Sequence, residues 1–402
     1  MYNLTDREIV LGVSGSIAAN KAADLASKLT QAGVRLDVVL TPAAAKFVTP
    51  LTFQSVSGRP AYVDMFDTAS GASELHVELA RRANALLIAP ASATTIARVA
   101  LGLAEDLVSL TALATRAPII VCPAMDPQMF EHEATQAHLE TLSRRGLHVV
   151  GPEEGRLASG HTGPGRMSEV HTIIGALRYV LGKDADLAGR KVVVSAGGTQ
   201  EPVDPVRYVG NYSSGKMGYA LAEAARDRGA DTVLVSGPAA LPEPYAVRVL
   251  PVRQAVEMRD AVLAECTDAD AVIMAAAVAD YQPAEAVGQK IKRRQKGLTL
   301  SLVRTPDILA EIGRRAGLVK VGFAAETEDL LTNARRKLDE KRLDLIVANN
   351  VTAEGSGFGS DTNRVTLLDG EGEEELPLMS KYEVAGRVLD RVAAALREAS
   401  PD

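Results

Sequence analysis

The residues of this chain that can do chemistry stand at the ends of short apolar runs. EIVLGV (8–13) is followed by GSIAANK (15–21), which puts Gly15, Ser16 and Ile17 at the start of a helical pattern. Free backbone N–H groups and the helix dipole favour a phosphate at such a point, although a plain helix cap uses the same residue types. PASATTIARVALGLAEDL (90–107) follows ALLIAP in the same way, so Ser92, Thr94 and Thr95 stand where hydroxyls either cap a helix or meet an anion. In the second half, SAGGTQEPVDPVRYVGNYSSGKMG (195–218) offers the turn Ser213, Ser214, Gly215 as another anion cradle. KIKR (290–293) is either a set of phosphate-neutralising cations or a solvated basic loop. His76 and His161 carry side chains whose ordinary pKa, about 6.5, suits proton transfer near neutrality. Neither a P-loop nor the G-x-G-x-x-G of a dinucleotide site is present in these turns.

Regular elements must hold these turns in place. EIVLGV reads as a buried strand, Ala22, Leu25, Ala26 and Leu29 follow helical spacing, Gly33 suits the helix C-terminus, and RLDVVL makes the next strand. KVVVSAGG, then Met217, Ala220, Leu221, Ala224 and Ala225, then Gly229 and TVLV repeat the scheme from residue 191. Apolar runs at ALLIAP (85–90), PIIVC (118–122), AVIMAAAV (271–278) and DLIVAN (344–349) alternate with helical patterns. That alternation predicts an α/β protein with two doubly wound, Rossmann-like domains, divided within the polar stretch LGKDADLAGR (181–190). We place the domains at 1–185 and 186–402, and read EGEEE (371–375) as a solvated turn between two late strands.

Bulk properties limit the function classes. At 402 residues the chain exceeds the roughly 250–300 at which single cores stop growing, so two domains are expected. A formal charge of −7 disfavours a nucleic-acid partner. MYNLTDREIVLGV has neither a signal-peptide core nor a membrane-spanning run, and a cytoplasmic enzyme without membrane partners is expected. The two cysteines, Cys122 and Cys266, fall in apolar, strand-like contexts in different halves, which argues against a disulfide framework.

GSIAANK, PASATTIA, PAMD (123–126) and SGHTGPGRM (159–167) occur in the order and spacing of the flavin-containing cysteine decarboxylases, which the first 180 or so residues resemble. The resemblance implies a flavodoxin-like half holding FMN through Gly15, Ser16, Ile17, Thr41, Ser92, Ala93, Thr94 and Thr95. It also implies a reaction in which oxidation of a cysteine thiol creates the electron sink that decarboxylation needs, with His76 of SELHVELA matching the catalytic histidine. Two positions depart from the commonest pattern. Asp126 replaces an asparagine and Ser159 a cysteine. An ionised aspartate cannot donate to a substrate carboxylate, so Asp126 is expected to be at least partly protonated. A serine is a poor proton donor, so the last proton comes either from His161, in place of Ser159, or from water or His76, with His161 then an exposed loop residue.

Residues 186–402 resemble the phosphopantothenate–cysteine ligase domain through the 195–218 segment, AAAVADYQP (275–283), KIKR, TPDIL (305–309), GFAAET (322–327) and KLDEKRLDLIVAN (337–349). This implies activation of a carboxylate by CTP, with Mg²⁺, through an acyl-cytidylate that cysteine's amine resolves. Asn211 matches the residue that steadies the intermediate, Asp280 stands near the nucleotide, and Lys290 meets the triphosphate. Met274, Ala275, Ala276, Pro306, Asp307, Ile308, Leu309, Phe323, Lys337 and Lys341 match the lining of the nucleotide pocket. Homo-oligomeric contacts are implied for both domains, trimeric for the first and dimeric for the second. The alternatives are a chain in which only the ligase turns over because of Asp126 and Ser159, a non-catalytic FMN-binding regulator, and a nicotinamide-dependent reductase.

Overall fold

The structure is a computed structural model that describes residues 4–66, 74–292, 298–326, 329–350, 355, 357 and 359–399. The chain divides into two compact units, Met1–Gly182 and Lys183–Asp402. Among the described residues no helix is long and apolar enough to cross a membrane.

In the first unit, β1 (Glu8–Val13), β2 (Arg35–Leu40), β3 (Ala61–Tyr62), β4 (Ala85–Ala91), β5 (Ile119–Pro123) and β6 (His148–Val149) form one sheet in the order β3-β2-β1-β4-β5-β6. Every pairing is parallel. A strand covered on both faces has no solvent side and therefore reads as a continuous apolar run; β4 is buried at every position. The doubly wound expectation holds, but the strand order is that of dinucleotide-binding sheets and not the 2-1-3-4-5 of flavodoxin. Its topological switch lies between β1 and β4, which brings the turns after both strands to one crevice. A hairpin of β7 (Glu153–Arg156) and β8 (Thr162–Arg166) follows as a separate two-stranded sheet.

The second unit repeats the plan with β9 (Lys191–Ala196), β12 (Asp231–Ser236), β13 (Arg248–Pro251), β14 (Ala271–Met274), β17 (Val319–Glu326), β18 (Leu345–Asn350), β20 (Val365–Asp369) and β21 (Glu373–Glu375). Their order is β13-β12-β9-β14-β17-β18-β20-β21, parallel as far as β18 and antiparallel beyond it. Small hairpins, β10 (Gln200–Pro202) with β11 (Tyr208–Gly210) and β15 (Tyr281–Pro283) with β16 (Leu302–Arg304), hang beside the switch between β9 and β14. β19 (Thr362–Asn363) pairs with β22 (Met379–Ser380) ahead of the last helix, Lys381–Glu398. The helix Lys216–Arg226 lies so close to β9 that a Cβ on Gly218 would stand 2.5 Å from the Ala196 Cβ and 2.8 Å from the Ser195 carbonyl. Only glycine fits there.

Three expectations need correction. Of AVIMAAAV only Ala271–Met274 is strand; the chain then peels away to line a cavity, leaving one bridge between Ala277 and Gly198. Cys266 is not in a strand but caps the helix Ala255–Glu265. In EGEEE, Glu373–Glu375 is an edge strand rather than turn, and Glu374 is ion-paired with Arg387 and, at 3.0 Å, with Arg391.

Candidate active sites

In the first unit a cavity of about 460 Å³ opens at the ends of β1 and β4. Its floor is two helix beginnings: Gly15, Ser16, Ile17 and Ala18 ahead of the helix Ala19–Gln31, and Ser92 with Ala93 at the start of Ala93–Leu101. Ser16 Oγ accepts from the Ala18 amide at 3.3 Å, and the Gly15 and Ile17 amides have no acceptor among the described residues. Ser14, which sequence reasoning passed over, ties the two turns together. Fully buried, its hydroxyl donates to the Pro90 carbonyl at 2.8 Å and accepts from the Ser92 amide at 2.7 Å. Its only signal in the sequence is a hydroxyl directly after a buried strand.

Of the expected FMN contacts, Gly15, Ser16, Ile17, Ser92 and Ala93 line this cavity, whereas Thr41, Thr94 and Thr95 do not. Thr41 is buried and accepts from the Ala44 amide at 3.1 Å; Thr95, also buried, faces the Ser92 hydroxyl at 3.2 Å. Thr94 is exposed. His76 is the second residue of the helix Leu75–Arg82, half-buried, and is not among the residues lining the cavity.

The cavity's far wall is apolar (Met125, Met129, Leu157, Met167) and is closed by the tip of the β7–β8 hairpin. Gly165, at the hairpin's foot, has φ +145, and a Cβ there would meet the Met125 carbonyl at 2.2 Å. Asp126 caps the short helix Pro127–Glu131 and accepts from the Gln128 amide at 3.2 Å. The same carboxylate reaches the hairpin tip, where Ser159 Oγ donates to Oδ2 at 2.8 Å and His161 Nδ1 lies 3.3 Å from that oxygen. Ser159's hydroxyl first, with the Gln128 amide and the His161 ring, outweighs partial desolvation and holds the Asp126 carboxyl below its usual pKa. This overturns the expectation of a protonated Asp126: the carboxyl is not enclosed in apolar surroundings but meets donors on three sides.

In the second unit two cavities adjoin at the switch point. The larger, about 600 Å³, is lined by Met274, Ala276, Asp280, Pro306, Asp307, Ile308, Leu309, Phe323, Lys337 and Lys341, all anticipated, and also by Arg304. Thr305 fastens its rim, with its hydroxyl on the Ala279 carbonyl at 2.6 Å and its amide on the Asp280 carbonyl at 3.1 Å. Lys337 Nζ donates to the Phe323 carbonyl at 2.9 Å, and Lys341 pairs with Asp307. Burial pushes the Asp307 carboxyl up, but Lys341, the Ala310 amide and Lys337 together hold it below its ordinary value. Ala275 instead lines the smaller cavity of about 120 Å³ with Ser213, Ser214, Gly215 and two lysines that the sequence reading missed, Lys216 and Lys381. Ala276 and Phe323 border both cavities. Lys381 is buried, which lowers its pKa, and Lys216 nearby adds to that. From sequence it reads only as the first residue of a helix capped by Ser380.

Asn211 is not among the lining of either cavity; it donates from Nδ2 at 3.0 Å to the carbonyl of Val278, which lines the larger, and stands two residues before Ser213 of the smaller. Lys290 is exposed and is not among the lining of either cavity; Arg293 and Thr327 lie outside the described residues. Among the described residues no group of three or more His, Cys, Asp or Glu side chains is placed to hold a metal ion.

Comparison with known proteins extends over the whole chain. Residues 1–182 match the Flavoprotein family, and residues 187–396 match the family described as DNA/pantothenate metabolism flavoprotein C-terminal domain. The coenzyme A biosynthesis bifunctional protein CoaBC of Vibrio vulnificus (strain CMCP6) is 46% identical over 396 residues, covering 98% of each chain. Its counterpart in Bacillus subtilis (strain 168) is 43% identical over 400 residues, covering 98% of both chains. That of Escherichia coli (strain K12) is 43% identical over 401 residues, covering 98% of this chain and 99% of the relative. On this full-length similarity, the chain belongs to the family of coenzyme A biosynthesis bifunctional proteins CoaBC.

Proposed function

We propose that the second unit joins 4′-phosphopantothenate to cysteine at the expense of CTP, and that the first unit, with FMN, decarboxylates the product to 4′-phosphopantetheine. The observation that carries the reading is the larger cavity of the second unit, which collects nearly the whole set of residues expected around CTP, with three cationic side chains (Arg304, Lys337 and Lys341) among its lining. A carboxylate attacking the α-phosphate gathers several negative charges in one place, and cations fixed in advance offset them most effectively. The smaller cavity supports a place for the substrate's own phosphate, between the Ser213–Gly215 turn and Lys216 and Lys381. Ala276 and Phe323, bordering both spaces, would set carboxylate and α-phosphate side by side. Asn211 is at hand to steady the acyl-cytidylate. Mg²⁺ would be held mainly by phosphate oxygens, with Asp280 and Asp307 the acids that line the cavity.

For the first unit, the amides of Gly15 and Ile17 suit the phosphate of FMN, and the apolar wall of Ile17, Met125, Met129, Leu157 and Met167 suits its ring. When bound, FMN supplies the two-electron oxidation and re-reduction that give the departing carboxylate an electron sink. The chain's own part is to bind the substrate, exclude water beneath the hairpin tip and deliver protons, and the position of His161 at the tip supports a share in that last task.

Purified protein should be yellow and release FMN on heating. Pyrophosphate release should need both CTP and 4′-phosphopantothenate, and CMP release should need cysteine as well. Pyrophosphate release in the absence of 4′-phosphopantothenate, or a colourless protein that does not take up FMN, would defeat the reading for the unit concerned.

A further inference from the structure

Three cationic side chains line the cavity of the first unit: Lys21, Arg156 and Arg166. Two are already committed. Arg166 pairs with Glu169 and, at 3.3 Å, with Glu153, while Lys21 Nζ lies 3.3 Å from the same Glu169 carboxylate. The guanidinium of Arg156 makes no ion pair or side-chain hydrogen bond among the described residues, and it stands at the last position of β7, where the hairpin tip begins. Opposite in charge, and equally committed, is Asp126, whose two oxygens receive Ser159, His161 and Gln128.

Any substrate that loses carbon dioxide here brings a carboxylate into a cavity that already contains one. Unpaired, that charge is expensive to desolvate. Asp126 offers only acceptors, and two of its three donors, Ser159 and His161, come from the hairpin. A guanidinium presents paired N–H groups that match a carboxylate in plane. We propose that Arg156 receives the carboxylate of the cysteine-derived substrate, and that Asp126 is a positioning residue that latches the hairpin tip so that Arg156 faces the cavity. The tip transmits this directly: Leu157, next to Arg156, donates its amide to the His161 carbonyl at 2.9 Å, and the Gly160 amide returns to the Leu157 carbonyl at 2.9 Å. Asp126 and Ser159 are thus one exchange: an acceptor on one side of the cavity matched by a hydroxyl donor on the other. The inference rests on the decarboxylase reading above.

Two ligands isolate the carboxylate. In 4′-phosphopantothenoylserine a hydroxyl replaces the thiol, so no oxidation begins; in 4′-phosphopantothenoylethanolamine the carboxylate is absent while phosphate and hydroxyl remain. Titration calorimetry on the FMN-loaded full chain should show Arg156→Gln weakening the serine ligand at least tenfold and the ethanolamine ligand less than twofold. Arg156→Lys, which keeps the charge, should fall between. The flavin absorption spectrum should be unchanged in both variants, because the residue is exposed. Equal weakening of the two ligands would mean that Arg156 holds the phosphate or merely shapes the cavity, and no weakening would mean that it holds neither; each overturns the proposal. Failure of the wild type to bind the ethanolamine ligand would instead remove the decarboxylase reading itself.

Discussion

Replacing Ser14 by alanine tests whether the two turns proposed to hold the phosphate of FMN depend on a single buried hydroxyl. The side chain is fully buried and makes two short hydrogen bonds, one as donor to Pro90 and one as acceptor from Ser92. Alanine leaves the Ser92 amide without its partner, while the Pro90 carbonyl keeps the Ser14 amide at 3.1 Å. A buried polar group left unpaired costs about 1–3 kcal/mol, and that is the loss expected here. Part of that loss should appear as weaker binding, since the Ser92 turn would no longer be held in register with the Gly15 turn. An affinity loss of about tenfold corresponds to about 1.4 kcal/mol. Urea unfolding followed by the fluorescence of released flavin reports on the first unit alone. CTP- and 4′-phosphopantothenate-dependent pyrophosphate release reports on the second and should be unaffected. If Ser14→Ala keeps its flavin-release midpoint and its FMN affinity, the tether does not organise the site.

Three further outcomes are expected. Lys337→Ala and Lys341→Ala should each raise the KM for CTP about tenfold or more, since each removes a cation from the larger cavity of the second unit; unchanged KM values would move the nucleotide elsewhere. Because the Asp126 carboxyl is held below its ordinary value, its latch is complete above about pH 4 and is lost as the pH falls through the lowered pKa. Any decline of decarboxylation on the alkaline side should therefore persist in Asp126→Asn, and its disappearance in that variant would contradict the ionised assignment. Gly165→Ala drives a Cβ against the Met125 carbonyl at a backbone angle that side chains rarely adopt. It should abolish flavin retention while leaving pyrophosphate release intact, and a variant that still binds FMN normally would show that the hairpin's foot can shift.

Alternation and helical spacing were enough to read the parallel strands, because a strand buried on both faces has no choice but to be apolar, as β4 is throughout. The lining of the larger cavity of the second unit was expected from the resemblance: Met274, Ala276 and Asp280 stand at or just after one strand end, whereas Ile308, Leu309, Lys337 and Lys341 come from helices that no strand pattern would have pointed to. What stayed hidden are contacts made across long sequence distances. Ser14 meets Pro90 and Ser92, Lys381 comes to Lys216 from the far end of the unit, and Asp126 finds its donors in a hairpin more than thirty residues later. The misjudged protonation of Asp126 has the same origin, since residue type tells what a carboxylate can accept but not which donors fold back to it. The overlong strand at 271–278 shows the opposite failure, in which small apolar residues that line a cavity look like those of a strand.

The placement of sulfur has a consequence for redox chemistry. Both cysteines are buried, and burial pushes their thiols up, Cys266 to about 11 and Cys122 further still. With serine at position 159, the hairpin tip carries no thiol either. A protein proposed to handle free cysteine and a thiol-bearing product thus presents no thiolate of its own to them, and mixed disulfides and sulfenic acid formation lack a ready starting point. Oxidant damage should fall first on a thioether instead, the half-exposed Met129 on the cavity wall, where conversion to a sulfoxide would place a polar group on the apolar wall proposed to meet the flavin and remain open to enzymatic repair.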